Sequence, residues 1–255
     1  MRFIDSHCHL DFSEFDEDRA RCIANARSLG VTHLVVPGIS LAQSNNLLTF
    51  TKQYPSTYIS AGLHPYFLEQ HQEQHIDELG DLIAANHDSF VAVGECGLDR
   101  SIGELEKQRS LFEAQIALAN EFELPLIVHH RQSHDLIAAS FKRCPPKFGG
   151  VIHAFSGSSQ VGETYIKAGF KLGVGGTITY ARAQKTQQAL QHVGIEHLLL
   201  ETDAPSMPLC GYQGQRNTTE RIPNVFLALA ALLQRQDYEA LSEQLYLNCL
   251  AFLRK

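Results

Sequence analysis

Eight short apolar runs punctuate the chain, at Phe3–His7, His33–Pro37, Tyr58–Leu63, Phe90–Glu95, Leu124–His129, Gly150–His153, Phe170–Gly175 and Leu198–Asp203. They are rich in valine, isoleucine and leucine, and most stop at a glycine, a proline or a polar residue. Continuous apolar runs of this length suit parallel strands covered on both faces, whereas half-exposed strands alternate. The stretches between them carry helical spacing. Ala20–Leu29 runs up to Gly30, a residue suited to ending a helix. Leu105–Phe122 carries an apolar stripe of Leu105, Leu111, Phe112, Ile116, Leu118 and Ala119. Asn224–Gln234 and Tyr238–Leu253 close the chain as two further helices.

The run starts advance from residue 3 to residue 198 in seven steps, a mean of about 28 residues, which is the size of one strand-plus-helix unit. Eight such units predict an α/β chain folded as a (β/α)8 TIM barrel, one domain spanning residues 1–255. The rival, a doubly wound sheet, lacks its G-x-G-x-x-G after the first run. No linker, low-complexity tract or charge run divides the chain.

Composition narrows the classes. Hydrophobic residues make up 44% of the 255 and charged residues 19%, too few charges for a disordered chain. No stretch of 18 apolar residues exists, so no membrane-spanning helix is expected. The segment Met1–His7 has no apolar signal core, which predicts a cytoplasmic protein. Net charge is −7 with histidine neutral. That argues against a large basic footprint on duplex DNA but leaves room for a small pocket gripping one phosphate. The cysteines, Cys8, Cys22, Cys96, Cys144, Cys210 and Cys249, form no C-x-x-C pair and read as reduced thiols. Nothing in the sequence calls for a membrane or an obligate protein partner.

In a (β/α)8 barrel the chemistry gathers at the C-terminal strand ends. Five runs end in side chains able to bind metal: His7 and His9 after the first, Glu95, His129, His153 and Asp203. Strand residues two apart point to one side, so His7 and His9 can reach the same ion. Glu95 closes an apolar strand and needs a partner, since an isolated buried charge is costly. Two ions sharing its oxygens would serve, and a salt bridge to Arg131 is the alternative. Asp203 is placed to ligate metal and to take a proton from water. Glu201, one pleat deeper, is expected to orient a ligand or a water. Mixed imidazole and carboxylate ligation suits Zn²⁺, Mn²⁺, Fe²⁺ or Ni²⁺, with Mg²⁺ possible at a bridged site. Two such cations predict hydrolysis by activated water, with Asp203 and Glu95 as the catalytic carboxylates.

His64, in Gly62-Leu63-His64-Pro65, and Arg131 are candidate substrate contacts for an anionic oxygen. His71 and His75 lie in a run of Glu and Gln and read as a solvated surface. His130 points away from His129, and His134 is left unassigned. Gly173-Val174-Gly175-Gly176-Thr177 lacks the lysine of a P-loop and suggests close backbone approach to substrate instead. No G-x-S-x-G nucleophile elbow is present.

These residues resemble the TatD family of metal-dependent hydrolases, amidohydrolase-like barrels, and most closely its YjjV-type subgroup. The matching stretches are Ile4–Leu10, Gly62–Pro65, Gly94–Asp99, Pro125–His129 with Arg131, His153–Gly157 and Glu201–Pro205. Gly175–Tyr180 and Gly211–Gln215 resemble the subgroup. The resemblance implies a distorted TIM barrel. By motif match it puts divalent-metal ligands at His7, His9, Glu95, His129, His153 and Asp203. It also implies a metal-dependent phosphodiesterase or deoxyribonuclease, 3′-to-5′ exonuclease-like, acting on DNA ends or on a small phosphoester. One departure stands out: Asn217-Thr218-Thr219-Glu220 has no proline where the family usually reads Asn-x-Pro. Arg216 beside it is either a phosphate contact or a surface charge. The alternative activity is hydrolysis of a small phosphoester, amide or lactone. A non-catalytic metal-binding scaffold is a third reading.

Overall fold

The computed structural model describes residues 1–254. Its strands are β1 (Phe3–Asp5), β2 (Val31–Val36), β3 (Thr57–Ala61), β4 (Phe90–Asp99), β5 (Leu126–Arg131), β6 (Gly150–Ile152), β7 (Phe170–Val174) and β8 (Leu198–Leu200). Between and after them come α1 (Arg19–Ser28), α2 (Leu41–Gln53), α3 (His75–Ala85), α4 (Leu105–Glu121), α5 (His134–Arg143), α6 (Ser159–Lys167), α7 (Gln184–His192), α8 (Ile222–Leu232) and α9 (Tyr238–Leu253). All eight apolar runs are strands, and the strand order follows the chain, β1 to β8. This is the (β/α)8 pattern expected from the sequence. The chain gathers into two compact units, Pro37–His153, and Met1–Val36 with Ala154–Lys255.

In the unit Pro37–His153, β3 pairs with β4, β4 with β5 and β5 with β6, all parallel. Every residue of β4 is buried, which is why the sequence reads as an unbroken apolar run. β4 does not stop at Glu95, as the sequence suggested, but continues to Asp99. The β4–β5 register slips between Val93 and Cys96, which pair with Leu126 and Val128. One extra residue on β4 is thus accommodated, as in a bulge that re-aims a side chain. The slip falls on Gly94 and Glu95. Gly97 has φ +143°, and a Cβ there would strike the His129 carbonyl, so only glycine lets β5 approach so closely. The Glu95 N–H donates to the Gly38 carbonyl at 2.6 Å, fixing the backbone beneath its carboxylate.

In the other unit, β1 pairs with β2 and β7 with β8, again parallel. The end of β8 returns to β1 through main-chain bonds. Ser6 N–H donates to Leu200 O at 2.9 Å, Asp203 N–H to His7 O at 2.9 Å, and His9 N–H to Ala204 O at 2.7 Å. Helix starts follow capping chemistry. Ser40, Ser158 and Asp237 accept from Gln43, Val161 and Ala240 amides, and Pro223 occupies the first turn of α8. α8 and α9 bury Val225, Phe226, Leu229, Leu245, Cys249 and Phe252. Asn248 of α9 donates to the carbonyls of Ile195 and Leu198 at 2.7 and 3.0 Å, locking the helix to the start of β8.

Candidate metal centre

His7, His9 and Asp203 come together where β1 and β8 end. β1 stops two residues short of His7 because the buried Asp5 carboxylate draws the following backbone inward. Asp5 accepts from the Thr202 hydroxyl at 2.6 Å, the Thr202 amide at 3.0 Å and the His7 amide at 3.3 Å. Burial pushes the Asp5 carboxyl up to about 7, against the pull of those hydrogen bonds. His7 Nε2 lies 3.3 Å from His9 Nε2. Asp203 Oδ1 is 3.8 Å from the first and 3.7 Å from the second. Asp203 itself sits at φ +58°, a left-handed conformation that aspartate tolerates better than most residues. The His9 ring stacks on Phe12, with centroids 4.7 Å apart.

Glu95, His129, His64 and Asp99 form the second group. Glu95 Oε1 is 3.0 Å from His64 Nε2 and 3.2 Å from His129 Nδ1. His64 Nδ1 accepts from the Tyr66 amide at 3.0 Å, so in the neutral ring Nε2 carries the proton and donates to Glu95. The other nitrogen of His129, Nε2, is 3.3 Å from Asp99 Oδ2. Asp99 also accepts from the Ser101 hydroxyl and amide at 2.6 and 2.8 Å. Burial opposes ionisation of Asp99, but the bonds from His129 and Ser101 outweigh it and hold the carboxyl well below the usual range. Burial likewise opposes charge on His129, and Asp99 and then Glu95 outweigh it, raising its pKa.

The donor set fits a cation. With Nε2–H committed to Asp99, His129 presents a lone pair at Nδ1 towards Glu95 Oε1, and only a proton or a metal ion between them relieves the repulsion. Three donors converge in the same way at His7, His9 and Asp203. Imidazole with carboxylate is the ligation of Zn²⁺, Mn²⁺ or Fe²⁺. Asp99 behind His129 is the carboxylate–histidine arrangement that fixes a ligand's tautomer. The strand-end reading passed over Asp99 because it ended the strand at Glu95. The signal was present, since Asp99 shares the side-chain parity of Glu95 across Gly97.

The remaining expected residues distribute as follows. His153 is buried directly after β6, its amide donating to Val128 O at 3.0 Å. Glu201 Oε1 accepts the Ala154 amide at 2.6 Å. Its carboxylate occupies the space a Cβ on Gly173 would fill, so that glycine reflects close packing on Glu201. Arg131 ends β5 with an exposed side chain that makes no ion pair among the described residues, and the salt bridge to Glu95 does not form. Arg216 is a structural residue: it pairs with Asp18 at 2.7 Å and lies 4.4 Å over the Phe15 ring. His71 corrects the reading of a solvated surface, for it is buried and its Nε2 donates to the His64 carbonyl at 2.9 Å. A carbonyl partner lets a neutral imidazole sit inside, and burial lowers its pKa. His130 and His134 contact one another, with ring centroids 4.3 Å apart.

A family model described as TatD related DNase matches residues 4–254. The chain belongs to the TatD family. It is 39% identical over 249 residues to the uncharacterized metal-dependent hydrolase YjjV of Escherichia coli K12, covering 97% of this chain and 96% of that protein. It is 33% identical over 202 residues to the 3′-5′ ssDNA/RNA exonuclease TatD of a Pantoea species, covering 77% of each. The crystal structure of E. coli YjjV superposes with a TM-score of 0.94 at 38% identity, covering all of this chain and 98% of that one. The TatD-family fold is accordingly the TIM barrel expected from the strand rhythm.

Proposed function

We propose that this TatD-family chain is a metal-dependent phosphodiesterase that removes nucleotides from the 3′ end of single-stranded DNA or RNA. The observation that carries the reading is the convergence of imidazole and carboxylate donors into His7–His9–Asp203 and Glu95–His129 sets at strand ends. With His153 they supply six ligands for two divalent cations. Bound there, such ions lower the pKa of water and neutralise a phosphate being cleaved. Asp203 accepts the proton of the attacking water at a carboxylate oxygen. Glu95, its Oε1 beside His64 and His129, would help hold a cation through its carboxylate. Arg131, exposed and in no ion pair among the described residues, steadies the phosphate oxygens, and His64, whose Nε2–H is given to Glu95, holds that carboxylate in place beside it. Glu201 holds the backbone after His153 through the Ala154 amide. The 3′-to-5′ direction is supported by the relatives named 3′-5′ ssDNA/RNA exonuclease. All six cysteines are free thiols, as suits a cytoplasmic enzyme. No helix among the described residues is long and apolar enough to cross a membrane.

The net charge of −7 favours a second substrate class, a small phosphoester, because long strands bind through many cationic contacts. Competing a labelled oligonucleotide against a small phosphodiester on one enzyme sample separates the two. Glu95→Ala tests the site itself: the proposal expects loss of bound metal and of hydrolysis together. Full metal content with full hydrolysis would refute it.

A further inference from the structure

A cavity of about 520 Å³ lies within one unit, between the loop after β7 and the loop after β8. Its walls include Ser156, Thr177, Tyr180, Arg182, Met207 and Pro208. Arg182 is exposed, and its guanidinium lies 4.6 Å over the Tyr180 ring. It makes no ion pair among the described residues, unlike Arg2, Arg100, Arg143 and Arg216, each held by a carboxylate. The walls are braced. Tyr180 Oη donates to Pro208 O at 2.7 Å, and the Cys210 amide to Thr179 Oγ1 at 2.8 Å. The loop carrying Met207 is fastened to the end of β8. Ser206 N–H donates to Asp203 O at 2.8 Å, and Asn217 Nδ2 reaches the carbonyls of Thr202, Ser206 and Met207 at 2.8, 2.9 and 3.3 Å. Met207 is four steps along the chain from Asp203, a reach of at most about 14 Å.

We infer that this cavity is a nucleotide subsite, holding the phosphate and base of a nucleotide in the bound strand that is not itself cut. The inference rests on the phosphodiesterase reading above. A guanidinium stacked on an aromatic ring keeps its donor edge open and matches a phosphate with two parallel bonds. The hydroxyl of Thr177 adds a donor on the same cavity wall. The Met207 thioether and the Pro208 ring give a base face an apolar wall without sequence preference. Bracing of both loops lowers the ordering cost of binding. It also gives a use to the Gly175–Tyr180 loop, which the metal site leaves unemployed.

The test pairs two substrates and one binding measurement, using Arg182→Ala and Arg182→Lys. The ratio of kcat/KM on a single-stranded oligonucleotide to that on bis(p-nitrophenyl) phosphate should fall about tenfold in Arg182→Ala, mostly in KM, and recover in part in Arg182→Lys. A ratio within twofold of the parent overturns the subsite, as does an equal loss on both substrates. If the parent cleaves neither substrate, the phosphodiesterase reading fails by itself. Fluorescence anisotropy of a labelled oligothymidylate on Asp203→Asn then decides the subsite. Adding Arg182→Ala should weaken binding about tenfold and flatten the salt dependence by about 0.7 in the log–log slope. Unchanged affinity and slope overturn it.

Discussion

The Asp99 carboxylate accepts a hydrogen bond from His129 Nε2–H, and that leaves Nδ1 directed at Glu95. Replacing Asp99 with Asn keeps the shape but removes the charge that fixes this tautomer. Asp99→Asn is expected to weaken metal binding by about 10–100-fold, read by competition with a chromogenic chelator. Unaltered affinity would remove Asp99 from the account. Asp203→Asn should lower kcat by about 10²–10⁴ with the fold intact by circular dichroism. At this scale much is legible in the sequence. The two-residue spacing of His7 and His9 marked them as neighbours, and their Nε2 atoms are 3.3 Å apart, but both lie beyond the end of β1, so strand alternation is not the reason. The burial of His71 was not legible, because it depends on a carbonyl seven residues back in the chain, and Asp99 was marked only by its parity with Glu95, on a strand that runs on past its apolar run.

Elements carry the site only as firmly as their ends are tied. Asn217 is buried and donates to three carbonyls of the segment after β8. Asn217→Ala leaves those acceptors unmet and should cost about 2 kcal/mol, seen as a Tm lower by roughly 4–8 °C for a chain of this size. A shift under about 1 °C would mean that water replaces the clamp. This asparagine holds the segment although the expected proline after it is missing. α1 is joined to the same region through Asp18, which Arg216 holds down to about 2 by a direct hydrogen bond. A depressed carboxyl stabilises the fold above its ordinary range, and that stability is lost as pH falls from about 4 through about 2. Carboxyl NMR should place the Asp18 midpoint near 2 and return it towards 4 in Arg216→Gln; a midpoint near 4 in the parent would break the link. Element boundaries were less legible than their existence. Asp5 ends β1 early by binding Thr202, a residue 197 positions away, and the slip at Gly94 and Glu95 carries β4 past its apolar run. Both are tertiary effects that no local pattern encodes.

The strand rhythm of about 28 residues was enough to assign the whole molecule to the (β/α)8 class, since parallel strands buried on both faces leave unbroken apolar runs. The division into two compact units left no such trace, as no linker or change of composition marks residues 36–37 or 153–154. The net charge of −7 confines a nucleic-acid substrate to a few contacts, so activity on single strands should fall less steeply with salt than for a basic nuclease. The proposed activity is hydrolysis of phosphodiesters at a strand end, with metal held by the six ligands and Asp203 as base. The most direct measurement follows a 3′-end-labelled single-stranded DNA with added Mg²⁺ or Mn²⁺, beside Asp203→Asn and a chelator control. Release of labelled mononucleotide that vanishes in both controls is the expected result. No release from enzyme whose bound metal has been verified, or release that persists in Asp203→Asn, would contradict it.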